Sequence, residues 1–115
     1  MTITRYKSGA RMSQAVVHNQ TAYLAGQVGQ PGESVMAQTR TILEKIDGLL
    51  AEVGSGKSKI LQATIWLASM DDFAEMNVVW DGWVDNANPP TRAAGESRLA
   101  TPDYLVEIII IAAVD

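Results

Sequence analysis

The sequence predicts an α+β fold, with one β-sheet covered on one face by two α-helices and elements in the order β-β-α-β-α-β-β. Two observations predict the helices: apolar residues recur every three or four positions over residues 35–53 and again over 73–87. A third observation predicts a long last strand, the apolar, β-branched run "YLVEIIIIAAV" at 104–114. Each predicted helix has one apolar stripe, so both helices are expected on the same face of a single sheet.

The first half of the chain contains a hairpin, a loop and the clearest helix. Two short strands are expected within residues 15–28, around a turn at Asn19-Gln20, because Asn tolerates turn geometry. The segment "GQVGQPGES" has the glycines and the proline that are typical of a loop. The helix that follows is expected to begin after Ser34 as its N-cap and to end at Gly54.

The second half contains a strand, a helix and two further strands. Apolar and polar side chains alternate over residues 61–67, which predicts a strand. The second helix is expected to start with a capping box formed by Asp72 and Glu75, and Pro89-Pro90 prevents it from continuing. Strands are then predicted over residues 92–98 and 104–114.

Composition and charge exclude several classes of protein. The formal net charge is −4 and the densest basic piece, "GSGKSK", holds only two lysines, so there is no basic footprint for nucleic acid. The chain has no cysteine, which excludes disulfides and Cys-ligated metals. The N-terminus lacks the apolar core of a signal peptide and no apolar run reaches spanning length. A cytoplasmic protein with one domain over residues 1–115 and no membrane partner is expected.

The last predicted strand is apolar on both of its faces. Its even positions from 106 to 114 are all apolar, and its odd positions are apolar apart from Glu107. A strand with one face in water should alternate apolar and polar residues. The helices cover only one face and the chain is too short for another layer, so self-association is expected to cover the other.

Arg92 is the first candidate for a functional residue. It follows the double proline of "NPPTRAA", which restricts the backbone that leads into it. The planar guanidinium keeps its charge and matches a carboxylate bidentately, so Arg92 is a candidate for binding a small 2-oxo or 2-imino acid. The alternative is a structural ion pair with Glu96 or Glu107, and spacing alone favours that alternative.

Three further polar residues have both a functional and a structural interpretation. Glu107, inside an apolar strand, is a candidate general base or the partner of an arginine, and the second role is more common. Asn77 lies among apolar helix positions and is either a ligand contact or a buried amide that ties down a loop, the latter being favoured. His18 is the only histidine and lies beside a turn, so no metal site and no Ser-His pair is predicted.

Four segments together resemble the RidA (YjgF) family of enamine/imine deaminases, in its shorter, YoaB-like branch. They are "YLAGQVG", "QTRTILEKIDGLLAEVGSGKSKILQATIWLASMDDFAEMNVVWDGW", "PPTRAA" and "YLVEIIIIAAV". The resemblance implies a chorismate-mutase-like fold with a mixed sheet, and a homotrimer whose open sheet faces meet around a threefold axis. It also implies active sites in the clefts between subunits and a reaction that needs no cofactor and no metal.

The resemblance also implies a set of site residues. Arg92 matches the arginine of a "PxR" element that binds the substrate carboxylate, and backbone groups of Ala93 and Ala94 are expected to hold the imine. Gly26 matches the glycine of an "SGQ" element, although Ala25 replaces the serine. Asn77 matches the asparagine of a "DFxxxN" element.

The sequence departs from the family pattern at two places, and the first is expected to weaken or alter catalysis. Main-branch members end in an "EIEAIA"-type strand, whose second glutamate is expected to position the attacking water. Glu107 matches the first glutamate, and Ile109 stands at the second. The family tyrosine near the N-terminus is missing, with Met12 closest and Tyr6 further upstream, and the neighbours of Met12, Arg11 and Ser13, are expected at that edge of the cleft.

The predicted function is therefore hydrolytic deamination of 2-imino and enamino acids to 2-keto acids and ammonia, with weak or altered activity. The alternative is a non-catalytic protein that binds small 2-oxo or 2-imino carboxylates, which the isoleucine at position 109 favours. A third and weaker interpretation is ribonuclease or translation-inhibitor activity, and the acidic net charge argues against it.

Overall fold

The structure is a computed structural model that describes residues 2–115. In chain order its strands and helices are β1 Ile3–Tyr6, β2 Ala15–His18, β3 Thr21–Leu24, β4 Gln27–Val28, α1 Val35–Glu52, β5 Ile60–Leu67, α2 Phe73–Trp83, β6 Thr91–Glu96 and β7 Val106–Ala113. Short 3-10 turns precede β5 and α2. The predicted α+β class and element order are confirmed, with β1 and β4 as additional strands.

The strands form one mixed sheet in the order β1-β2-β3-β7-β5-β6, and β4 pairs with β7 beside β3. All neighbouring strands are antiparallel except β5 and β6, which are parallel. Among the strands of residues 2–115, β6 is at the edge of the sheet and pairs only with β5. One side of its backbone therefore has no partner in the sheet.

The core lies between the helices and one face of the sheet. The even positions of β7 are fully buried in it, while the odd positions are only half-buried. Both helices contribute to the same cluster, α1 through a full apolar stripe and α2 through Met76 and Trp80. The odd positions of β7 belong to the opposite surface, which the helices do not cover.

We call that opposite surface the open face. Its residues on β3, β5, β6 and β7 follow from the strand register and include Tyr23, Trp66, Ala93, Glu107, Ile109 and Ile111. Tyr23 is 48% exposed and Trp66 is 37% exposed. Large apolar side chains on an uncovered sheet face are what the two-sided pattern of the last strand predicts.

Several predicted boundaries are confirmed with their local causes. Asn19 and Gln20 both have positive φ, 50° and 61°, as a two-residue hairpin turn requires. The amide N of Ala37 donates to the side chain of Ser34 at 3.1 Å, so Ser34 is the N-cap of α1. Gly54 has a φ of 81°, a left-handed conformation that ends the helix.

Three predictions about element ends are wrong. The predicted loop at residues 26–34 contains β4, whose two residues are too few to show alternation. Helix α2 ends at Trp83 and not at the prolines, because Asp85 accepts hydrogen bonds from the backbone of Ala87 and the side chain of Asn88 in a turn. The capping box is absent, since the side chain of Asp72 makes no cap hydrogen bond.

Candidate functional site

Arg92 lies on the edge strand β6 and faces the helices. In the parallel register Arg92 is opposite Ala63, a fully buried residue of the core face, and the next residue, Ala93, is opposite Thr64. Side chains alternate between the two faces along a strand, so Arg92 and Ala94 point to the helix side and Ala93 points to the open face. The guanidinium itself is exposed at the rim of the sheet.

Three residues of α2 meet the Arg92 guanidinium. Phe73, Asn77 and Trp80 are four and three residues apart, a spacing that puts them on one stripe of the helix. Asn77 Oδ1 accepts a hydrogen bond of 2.7 Å from Arg92 Nη1. The guanidinium carbon is 5.7 Å from the centroid of the Phe73 ring and 5.5 Å from that of the Trp80 ring.

Arg92 makes these contacts in place of the ion pair with Glu96 or Glu107 that spacing alone favours. Among the described residues Arg92 forms no salt bridge. Glu96 accepts a hydrogen bond of 3.0 Å from the amide N of Met70, and Glu107 is on the opposite face of the sheet. The favoured role for Asn77 is also wrong, because its side-chain oxygen holds the arginine and not a loop.

A second group of predicted residues comes together on the open face. Strand β4 places Val28 opposite Glu107, and Gly26 precedes that short strand. The Glu107 carboxylate occupies the space in front of Gly26, where a Cβ would overlap Oε2 and lie 3.0 Å from Cδ. A glycine is therefore required at position 26 if Glu107 is to keep this orientation.

Ile109 and Ala93 lie on the same face as the Glu107 carboxylate. Ile109 is opposite Thr64 of β5, and Thr64 is in turn opposite Ala93 of β6. Within one chain the predicted site residues are thus divided between two faces. Arg92, Asn77 and Ala94 are on the helix side, and the open face holds the others, Gly26, Ala93, Glu107 and Ile109.

The remaining predicted residues lie at the end of β1 and in the loop between β1 and β2. Arg11 and Met12 are exposed, and they contribute to the wall of a shallow cavity of about 430 Å³ together with Lys7, Gly9, Ala10 and Gln14. The hydroxyl of Ser13 is 2.8 Å from that of Ser8. Tyr6 is half-buried against the core.

Phe73 and Trp80 are the functional candidates that the sequence reasoning assigned only to packing. The i, i+4, i+7 spacing around Asn77 is the available signal, but it becomes informative only when the pairing of β6 with β5 turns the Arg92 side chain toward α2. Over residues 2–115 no group of three or more His, Cys, Asp or Glu side chains is placed to hold a metal ion. None of the helices described is long and apolar enough to cross a membrane.

Comparison with known proteins gives consistent matches over nearly the whole chain. The family model described as Endoribonuclease L-PSP matches residues 2–114. A RutC family protein of Haemophilus influenzae is 49% identical over 114 residues, covering 97% of this chain and 98% of the relative. The RutC family protein YoaB of Escherichia coli K12 is 45% identical over 114 residues, covering 99% and 100%.

The fold is shared with solved structures as well. A member of the YjgF protein family from Neisseria meningitidis superposes with a TM-score of 0.97 at 44% identity, covering 100% of this chain and 97% of that one. A Pseudomonas aeruginosa protein superposes with a TM-score of 0.95 at 39% identity, covering 99% and 100%.

Proposed function

Because this chain belongs to the endoribonuclease L-PSP family, which includes RutC and YjgF proteins, we propose that it hydrolyses 2-imino and enamino acids. The products are 2-keto acids and ammonia. The observation that carries the proposal is the arginine at the rim of the sheet, held by one Nη while its other edge donors stay available. A free guanidinium edge is the group that binds a carboxylate bidentately.

The proposed active site forms between two copies of the chain in a homotrimer. Arg92 and Glu107 lie on opposite faces of one sheet, so one small substrate does not reach both within a chain. Packing the open faces of three copies around a threefold axis covers the apolar side chains of that face. The cleft then combines the Arg92 of one copy with the Gly26 and Glu107 of the next.

In this cleft the substrate carboxylate binds the free edge of Arg92, while the imine carbon faces the neighbouring Glu107. Each charge-assisted hydrogen bond contributes about 1.5–3 kcal/mol, which is enough to orient a small acid. A water molecule adds to the imine carbon and gives a proton to Glu107. That proton passes to the imine nitrogen, which gives a carbinolamine with one hydroxyl and one amino group. Glu107 then takes the hydroxyl proton and passes it to the amino nitrogen as the carbonyl forms, so the C–N bond breaks and ammonia leaves. Arg92 orients the substrate and transfers no proton, since it stays charged.

We propose that Glu107 is the carboxylate that takes the proton of the attacking water. With this assignment, the isoleucine at position 109 does not remove the catalytic carboxylate. Both side chains lie on the open face, two residues apart on β7, and the Glu107 carboxylate lies in the space over Gly26. General acid–base groups contribute about 10²- to 10⁴-fold to a rate. Ile109 then forms an apolar wall of the cleft beside the acid.

The second candidate function is binding without catalysis, in which the same arginine retains a small 2-oxo or 2-imino carboxylate. The apolar side chain of Ile109 favours it, because an additional group that positions water is absent there. The description of the family as an endoribonuclease suggests RNA cleavage, but the net charge of −4 disfavours a polyanionic substrate. RNA is therefore not the substrate that we propose.

The first experiment generates 2-iminopropionate in situ and follows pyruvate formation with the native protein, Arg92→Ala and Arg98→Ala. Arg98 is an exposed arginine that serves as the matched control. We expect acceleration by the native protein and by Arg98→Ala, and none by Arg92→Ala. Equal rates with and without native protein would refute the deaminase proposal, and calorimetry with pyruvate would then test binding alone.

A mixing experiment tests the cleft between copies. Arg92→Ala and Glu107→Gln chains are inactive by themselves in this proposal, but a mixed trimer contains clefts in which both native side chains meet. Random assembly makes about one cleft in four of this kind in an equal mixture. Refolding the two variants together should therefore restore about a quarter of the native activity, whereas no recovery after confirmed mixing would contradict a shared site.

A further inference from the structure

We propose that Phe73 and Trp80 are positioning residues that hold the Arg92 guanidinium by its faces and keep its edge free for a carboxylate. The inference rests on the proposed function in that it takes the substrate carboxylate as the ligand of Arg92. It assigns a role to two aromatic residues that otherwise only fill the core and its margin.

The argument starts from what each part of a guanidinium can do. Its five N–H donors point outward in the plane of the group, whereas its two faces have no donors and attract aromatic rings. The two ring centroids lie 5.7 Å and 5.5 Å from the guanidinium carbon, within the range of a cation–π contact. The rings therefore restrain the guanidinium without using the hydrogen bonds that recognition of a carboxylate needs.

The helix α2 makes this arrangement possible because of its period. Asn77 lies in the middle of the stripe, one turn after Phe73 and one turn before Trp80, and β6 brings Arg92 beside it. The hydrogen bond to Asn77 holds Nη1, and the contacts with the two rings limit the rotation of the guanidinium. A surface arginine without such contacts would lose side-chain entropy when it binds a ligand, and a held arginine loses less.

The Trp80 ring is itself fixed by a second layer of contacts. Trp80 is 4% exposed and its centroid is 5.4 Å from that of Trp83. The indole N–H of Trp83 donates to the Asp47 carboxylate on α1 at 3.1 Å and 3.2 Å. The orientation of the arginine is thus connected through two tryptophans to the packing of α1 against α2.

At each of the two positions, the test compares a variant that keeps an aromatic ring with a variant that replaces the ring by an aliphatic side chain. Phe73→Tyr and Trp80→Phe keep a ring, whereas Phe73→Leu and Trp80→Leu remove it. Cation–π contacts at partly exposed sites correspond to about a 2- to 5-fold change in Kd for each ring. We expect pyruvate to bind about 2- to 5-fold more weakly to each Leu variant and within about 2-fold of native to the ring-keeping variants.

A spectroscopic measurement on the ligand-free protein separates positioning from stability. Ring currents should displace the NMR resonance of the Arg92 Nε–H away from that of the exposed Arg98, and hindered rotation should separate its Nη resonances. Phe73→Leu and Trp80→Leu should move the Arg92 resonance toward the Arg98 value, and the ring-keeping variants should retain the native shift. Melting curves identify any variant that is unfolded. If one of the two Leu variants is unfolded, the comparison uses the Leu variant at the other ring.

The proposal is overturned if Arg92 of the native protein shows the shift and averaged Nη resonances of Arg98. It is also overturned if the Leu variants keep both the native shift and the native affinity for pyruvate. A native protein that shows the displaced resonance and binds pyruvate, but does not accelerate imine hydrolysis, supports the positioning role and refutes only the deaminase reaction.

Discussion

Replacing Gln38 with Leu should destabilise the protein strongly, because this side chain joins the start of α1 to the segment that enters β7. Gln38 is fully buried. Its Nε2 donates to the carbonyl oxygens of Glu33 at 2.9 Å and of Asp103 at 3.0 Å, and its Oε1 accepts from the amide N of Leu105 at 2.9 Å. Leucine has a similar size but makes none of these three hydrogen bonds.

The size of the destabilisation depends on whether water can reach each backbone group that loses its hydrogen bond to Gln38. Leu105 is half-buried, so its unpaired N–H should cost about 1–3 kcal/mol. Glu33 and Asp103 are exposed, so water can reach their carbonyls and each lost bond costs about 0.5–1.5 kcal/mol. The sum is about 2–6 kcal/mol, a large part of the 5–15 kcal/mol that is typical of native proteins.

The assay is urea unfolding of Gln38→Leu, native protein and Gln30→Leu at one chain concentration, since association stabilises by mass action. Gln30 is exposed in the loop before α1, so its replacement should change the free energy of unfolding by no more than about 0.5 kcal/mol. A Gln38→Leu variant that loses less than about 1 kcal/mol with an unchanged m-value would refute this reasoning.

Three further predictions concern the site and the backbone around it. Arg92→Lys keeps the charge but loses the planar fork, so kcat/KM for an imino acid should fall about 10- to 100-fold in the pyruvate-formation assay. Gly26→Ala should displace the Glu107 carboxylate and lower kcat with little change in Tm, and combining it with Glu107→Gln should cause no further loss. Gly29→Ala should lower the free energy of unfolding measured in urea, because its Cβ would lie 2.7 Å from the carbonyl oxygen of Gln38. Its control is Gly48→Ala on the solvent-exposed side of α1, where a Cβ meets no neighbour, and this change should raise the free energy of unfolding by about 0.5–1 kcal/mol.

Long amphipathic elements are the part of this fold that the sequence predicts well. Helix α1 has a complete apolar stripe, a serine cap and a terminal glycine, and all three are where the periodicity puts them. Strand β7 was predicted with a buried face and a second apolar face, and its residues divide in that way. The resemblance to the RidA (YjgF) family, which depended on the order of several such segments, is also confirmed.

Short or exposed elements could not be predicted, because they carry no periodic signal. Strand β1 is exposed over most of its length, and β4 is two residues long. Strand β1 is defined by its pairing with β2 and β4 by its pairing with β7, and neither pairing can be read from the residues of the short strand itself. Helix α2 ends before a turn in which the Asp85 side chain accepts hydrogen bonds from Ala87 and Asn88. The double proline further along is the stronger stop signal in the sequence, so the earlier end is not predicted.

The sequence offers candidate site residues one by one, but it does not show how they are arranged in space. "TRAAGE" has no alternation that tells which residues of β6 face the helices, so the orientation of Arg92 depends on its pairing with Ala63. Glu96 and Glu107 are the two glutamates that the sequence offers as ion-pair partners of Arg92. In the structure Glu96 accepts a hydrogen bond from Met70, and Glu107 is on the opposite face of the sheet. Sequence distance predicted a contact that sheet topology prevents.

An edge strand explains why small residues follow the arginine. Strand β6 pairs with β5 alone, so backbone N–H and C=O groups on its outer side have no partner in the sheet. Ala93 and Ala94 leave those groups open to a small ligand, and the Trp66 ring lies against Gly95, where an added Cβ would be 3.2 Å from the indole. A ligand carboxylate on Arg92 would thus lie beside backbone donors that need a partner, and the same edge that exposes them is available to a second copy of the chain. In the proposed trimer the single pairing of β6 would therefore leave the edge beside Arg92 accessible to the substrate, while the open faces make the contact between copies.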